Sequence, residues 1–162
     1  MDLSRFEMID SVIKISLSEL IIKTESQVPV ASSLFEAHFP GFAVLPGVLL
    51  TEIMGQSSCL ITMAADNYSG LGILAAQNNT SYRHFVRPGD RLSTEVILKH
   101  LGDGFSICQA KVKQQEGIVV TESDLTIKLI PFFDAHIKAA FIRRYQRLLS
   151  PVTAKTERGE KA

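Results

Sequence analysis

The chain has no tryptophan, only two cysteines and no surplus of charge of either sign. Cys59 and Cys108 could close one bridge at most, too few for a disulfide framework, and neither sits in a Cys-x-x-Cys pair. Seventeen basic residues against seventeen acidic ones leave no global field to gather nucleic acid or an anionic membrane. His84, His100 and His136 lack paired ligand spacing, so no metal site is expected. The longest apolar stretch, Val44 to Ala65, is broken by Glu52, Gln56, Ser57, Ser58 and two threonines, which makes it a poor membrane span and a good buried helix. The opening, MDLSRFEMID, lacks the basic, apolar, small-residue order of a secretory signal, so reduced thiols and a cytoplasmic location are expected.

What is present is ordinary globular material. Of 162 residues, 46% are hydrophobic and 21% charged, and a chain of that size can bury roughly 70% of its unfolded surface in one core. From Val12 to Ile22, Ile13, Ile15 and Leu17 alternate with Lys14, Ser16 and Ser18, the period of a half-buried strand. Gln27 to Gly41 shows no sustained period. Pro46-Gly47 then opens the apolar run, proline suiting a first helical turn, and the helix is expected to reach about Ala65. Leu71 to Gln77 reads as a short strand. Residues from Arg91 to His100, Phe105 to Gln115 and Ile118 to Ile130 read as an antiparallel meander, with turns at Pro88-Gly89-Asp90, Gly102-Asp103-Gly104 and Gly117. A helix apolar on every side must be wrapped by sheet, so the fold class is α+β.

This gives a domain over residues 1–131. From Asp134 to Leu149, Ile137, Phe141, Tyr145 and Leu148 recur at helical spacing among Lys138, Arg143, Arg144 and Arg147, an amphipathic helix expected within 132–149. Its apolar stripe favours packing on the core over docking of an acidic partner. Residues 150–162 have little to bury and are expected to form a disordered tail.

Two residues carry the chemistry. Glu52 is the only charged residue between Pro46 and Ala65, and burial in such a helix would raise its pKa from about 4.3 toward neutrality, as a general acid requires. The competing interpretation is a solvated stripe that Glu52 shares with Gln56. His38 lies in the loop FEAHFPG just ahead of the helix; a neutral histidine is a competent base, and Gly47 at the helix start can offer its amide to a developing oxyanion.

The segment HFPGFAVLPGVLLTEIMGQ, His38 to Gln56, resembles the active-site signature of the FabZ-type 3-hydroxyacyl-carrier-protein dehydratases. His-Phe-Pro-Gly, Pro-Gly-Val-Leu and then Glu52, Met54 and Gln56 fall in register, and Tyr82-Arg83 with Val86-Arg87-Pro88-Gly89-Asp90 are similar to a second family segment. The resemblance spans roughly Phe6 to Pro131. It departs at Ala43, where the family has proline, and at His84-Phe85, where it has Arg-Pro.

The resemblance implies a hotdog fold, an antiparallel sheet wrapped around a long central helix, and dehydration of a (3R)-hydroxyacyl thioester to the trans-2-enoyl thioester. On that analogy His38 takes the α-proton, Glu52 protonates the departing hydroxyl, and the Gly47 amide holds the thioester oxygen. The Val44 carbonyl orients His38, while Phe39 and Gln56 belong to the substrate-binding surface. No cofactor or metal is implied, the substrate arriving on the phosphopantetheine of acyl carrier protein past a rim of Arg83, Arg87 and Arg91. The family also implies a homodimer with shared sites, extendable to a trimer of dimers. A hotdog acyl thioesterase and a non-catalytic acyl-binding hotdog are the alternatives.

Overall fold

The computed structural model describes residues 1–159, with side chains described as far as Leu148 apart from Glu116. Six strands form one antiparallel sheet: β1 (Ser11–Ser16), β2 (Ile21–Gln27), β3 (Leu71–Tyr82), β4 (Arg91–Gly102), β5 (Phe105–Lys113) and β6 (Val119–Ile130), in the order β1-β2-β4-β5-β6-β3. Between β2 and β3 run a short helix α1 (Ser33–Ala37) and the long helix α2 (Gly47–Ala65); α3 (Ala135–Gly159) follows β6.

Strands β2, β4 and β5 bury alternate residues over most of their length. Leu92, Thr94, Val96 and Leu98 on β4 point inward, as do Cys108, Ala110 and Val112 on β5. Register aligns them across strands: Thr24, Thr94, Val112 and Thr121 form one row, and Ile22, Val96, Ala110 and Ser123 the next. This concave face closes on α2, whose Leu50, Ile53, Met54 and Ile61 are almost wholly buried. The layers are stitched by hydroxyls, Thr24 to Ser57 at 2.9 Å and Thr62 to Ser106 at 2.7 Å. The result is the sheet-around-helix arrangement of a hotdog. By length and hydropathy alone α2 could cross a membrane, yet most of it lies buried inside the protein.

Three elements differ from the sequence pattern. The single strand expected over Val12 to Ile22 is a hairpin, turned at Leu17–Leu20 with Leu20 at φ +56 and the Glu19 amide donating to Ser16 Oγ at 3.2 Å. A register shift between Val12 and Lys14 also reverses the expected faces: Val12 is fully buried and Ile13 is 40% exposed. The featureless stretch after β2 contains α1, one turn long, capped by Ser32 accepting from the Leu34 amide. Strand β3 continues to Tyr82 through two register shifts rather than stopping near Gln77.

Helix α3 begins at an Asp134 cap, whose Oδ1 accepts from the Ile137 amide at 2.8 Å, and packs against β1. Tyr145 is buried edge-on to Tyr68, and Leu148 touches the main core, so the apolar stripe faces inward while Arg143 and Arg147 stay exposed. The backbone stays helical through 150–159; the rest of the expected tail, 160–162, lies outside the described residues.

Candidate functional site

The sheet does not cover α2 completely. Val48, Glu52, Gln56, Cys59 and Leu60 recur at helical spacing along one stripe that is exposed or half-buried, while the residues between them, apart from the half-buried Leu49, are buried. Glu52 therefore sits both on an apolar helix and on its one uncovered face, so the two sequence interpretations of it are compatible. Next to this stripe lies a cavity of about 650 Å³. Glu52, Gln56, Cys59, Leu60 and Met63 of α2 form one wall, Leu71 to Leu74 of β3 another, and Phe141, Arg144, Tyr145 and Leu148 of α3 a third, with Arg5, Phe6 and Ile9 of the N-terminal segment beside them.

Gln56 organises the polar end. Its Nε2 donates to Glu52 Oε1 at 2.9 Å and to the Phe6 carbonyl at 2.8 Å, and its Oε1 accepts from the Met8 amide at 3.2 Å. One side-chain amide thus ties the N-terminal segment to α2 and fixes one oxygen of the Glu52 carboxyl, leaving the other oxygen for a ligand. Cys59, one turn further on, is no nucleophile: burial first, then the neighbouring Cys108 and Glu52, push its thiol up to about 12.

His38 closes α1. Its Nδ1 lies 3.2 Å from the Val44 carbonyl, which can only accept, so the proton resides on Nδ1 and the Nε2 lone pair is free. The loop that follows is closed by paired backbone hydrogen bonds between Phe39 and Phe42, with Gly41 at φ +78 making the turn. The Val44 amide returns to the His38 carbonyl at 3.1 Å, so Val44 is bonded to both the backbone and the ring of His38. Phe39 is half exposed and stacks on the His38 ring at 4.3 Å rather than lining the Glu52 cavity.

The start of α2 is shaped by a residue the sequence pattern gave no role. The Tyr82 ring lies where a Cβ on Gly47 would fall, 3.1 Å away, and the Tyr82 hydroxyl meets Thr51 Oγ1 at 2.6 Å. Pro46 makes no side-chain hydrogen bond to cap the helix, and the Gly47 amide, in the first turn, has no intrahelical partner. The signal for Tyr82 was there, in an aromatic at the end of β3, but only the sheet register shows that it reaches the helix.

One copy of the chain does not bring His38 and Glu52 to one cavity: Glu52 lines the cavity described above and His38 does not. The three rim arginines are all exposed and differently engaged. Arg83 pairs with Glu122 on β6, Arg91 donates to Gln27, and Arg87 lies over the Phe42 ring, 5.2 Å from its centre. Only Arg87 stands against the loop that carries His38. Among the described residues no cluster of His, Cys, Asp and Glu has the geometry of a metal site.

The wrapped sheet and buried helix define a hotdog protein. Solved structures share that architecture at low identity: a hypothetical thioesterase of Streptococcus pneumoniae with coenzyme A (TM-score 0.62, 17% identical, covering 80% of this chain and 91% of that one) and the PaaI protein of Escherichia coli (TM-score 0.58, 12% identical, 73% and 81%). These show the fold. The family follows from sequence: residues 2–123 match the FabA-like domain. Among curated relatives, the 3-hydroxyacyl-[acyl-carrier-protein] dehydratase FabZ of Lactobacillus helveticus is 32% identical over 72% of this chain and 78% of its own, and that of Alkaliphilus metalliredigens 30% over 77% and 84%. The chain belongs to the FabA-like dehydratase family.

Proposed function

We propose that this protein dehydrates a (3R)-hydroxyacyl thioester carried on acyl carrier protein to the trans-2-enoyl thioester. The observation that carries the reading is the pairing of two differently prepared groups. His38 has its proton fixed on Nδ1 by the Val44 carbonyl and a free Nε2, as a base needs; Glu52 has one oxygen held by Gln56 and the other left for a ligand, in a mostly apolar cavity whose charged lining besides Glu52 is Arg5 and Arg144. His38 removes the proton α to the thioester, the unpaired Gly47 amide steadies the oxygen on which charge accumulates, and Glu52 protonates the departing 3-hydroxyl, which leaves as water. All of this is done by side chains and one amide; the phosphopantetheine belongs to the substrate.

Because one copy supplies His38 and Glu52 to different places, the site is assembled from two copies. Among the described residues the outer edge of β3 pairs with no strand, and it exposes Ile73 and the run from Ala75 to Asn79, a suitable edge for a second copy. His38→Ala and Glu52→Gln are each expected to lower the rate of dehydration 10²–10⁴-fold with the fold intact. Mixed dimers of the two inactive variants regain one intact site and part of the activity. A variant that kept more than about a tenth of the wild-type rate would remove its residue from the mechanism. The thioesterase alternative rests on fold likeness and gives the His38 loop no task; its signature would be free thiol released from an acyl thioester that carries no 3-hydroxyl.

A further inference from the structure

The matched family region ends at residue 123, and α3 begins at Ala135, yet α3 supplies one wall of the cavity that opens from Glu52. The wall is not accidental. Tyr145 is buried, Leu148 touches the core, and Phe141 stands 40% exposed with its ring turned to the cavity and toward Phe132. On the opposite wall the lining runs along α2 from Glu52 to Met63, eleven residues, which at 1.5 Å per residue is about 16 Å. A staggered alkyl chain with C–C bonds of about 1.5 Å advances about 1.25 Å per carbon, so this wall accompanies about a dozen carbons beyond the one whose hydroxyl Glu52 reaches. Past Gln56 the α2 and β3 walls carry no charge and the Cys59 thiol stays neutral; the α3 wall adds one half-buried cation, Arg144, beside Phe141, Tyr145 and Leu148.

We infer that α3 is a substrate-reading element: it completes the wall of the acyl pocket and adapts the enzyme to long chains, whose carbons beyond about the tenth lie against Phe141 and Tyr145, the latter set just past the end of α2 by its ring contact with Tyr68, while Leu148 lines the same wall. This rests on the dehydratase reading above and adds to it the class of substrate and the residues that select it. It follows that selectivity between long and short chains resides in a segment outside the matched family region.

The test uses the full-length protein. Phe141→Ala and Leu148→Ala, singly and together, are assayed with 3-hydroxyacyl carrier proteins of four to sixteen carbons, folding being checked by thermal melting. The expected result is that the ratio of kcat/KM for sixteen-carbon over four-carbon substrate falls at least tenfold in the double variant, about what two buried methylenes supply. A ratio within twofold of wild type in a folded variant overturns the inference and leaves the dehydratase reading standing.

A second arm does not depend on turnover. The chain has no tryptophan, so Phe141→Trp introduces a single reporter on the proposed wall. Pantetheine thioethers, which cannot react, are titrated in with alkyl chains of four to sixteen carbons. A blue-shifted emission that begins at about ten carbons supports the pocket even if no substrate is dehydrated, in which case the dehydratase reading fails alone. No shift at any length, or an equal shift at four carbons, overturns the role of α3.

Discussion

Replacing Gln56 tests the logic of the polar end, because a single amide there serves three partners. In Gln56→Ala the Met8 amide, on a fully buried residue, loses its acceptor; the Phe6 carbonyl and the Glu52 carboxyl lose their donor. A buried group left without a partner costs about 1–3 kcal/mol, whereas the partly exposed Phe6 carbonyl can turn to water. The net loss should be about 2–4 kcal/mol, which for a chain of this size lowers Tm by about 5–15 °C. Gln56→Glu separates geometry from charge. It keeps the shape, but when ionised it faces Glu52 and can only accept, so burial and the like charge raise its pKa in the folded state. A raised folded pKa stabilises only below the unfolded value of about 4.3 and is lost as pH rises through the folded one. The melting deficit of Gln56→Glu relative to wild type should therefore shrink between pH 7 and pH 4.5, while that of Gln56→Ala stays nearly constant. Thermal melts of the three proteins across that range decide it: a Gln56→Ala loss below about 1 kcal/mol, or a Gln56→Glu deficit indifferent to pH, refutes the bridging role.

Further outcomes follow from the same geometry. Gly47→Ala pushes a Cβ to 3.1 Å from the Tyr82 ring and should cost about 1–3 kcal/mol, a penalty that largely disappears in a Tyr82→Ala background; additivity in that double-mutant cycle would show the contact to be unimportant. Cys59, its thiol pushed up to about 12, should resist iodoacetamide at pH 8 in the folded protein and react once denaturant is added. Since its unfolded value is near 9.0, the stabilisation is full below pH 9 and falls by about 1.4 kcal/mol per pH unit up to about 12; Cys59→Ala should flatten that alkaline slope, and an unchanged slope would assign it elsewhere. Ile53→Ala, at a fully buried position against the sheet, should lower stability by about 2–5 kcal/mol in urea unfolding.

How much of this was legible from residues alone depended on the kind of information each element uses. The meander of β4, β5 and β6 was clear because its inward residues keep a period of two over most of each strand and its turns carry Gly102-Asp103-Gly104 and Gly117. The β1–β2 hairpin was hidden because its turn is made without glycine: Leu20 takes the positive φ, and the Ser16 hydroxyl accepts from the Glu19 amide. Helix α1 was hidden because five residues hold too little periodicity to see. The bulge at Ile13 inverted the inferred faces of β1, since one extra residue exchanges inside for outside.

The same distinction explains the site. His38 and Glu52 were visible as residues because a histidine in a proline-bounded loop and a lone acid on an apolar helix are both chemically out of place. What holds them was visible only where it is local: Val44 is six residues from His38 and Gln56 four from Glu52, distances a loop or one helical turn spans. Tyr82, thirty-one residues from Thr51, and the α3 wall, about ninety residues from Glu52, come to the site through sheet register and helix docking, and no spacing rule reaches them. Nor does proximity in sequence guarantee proximity in space. Although only fourteen residues apart, His38 and Glu52 are separated by a closed loop and the turn into α2, so that a single chain lines its cavity with one and leaves the other outside. On the dehydratase reading proposed above, the second group comes from another copy, and the edge of β3, unpaired among the described residues, is where the fold leaves room for it.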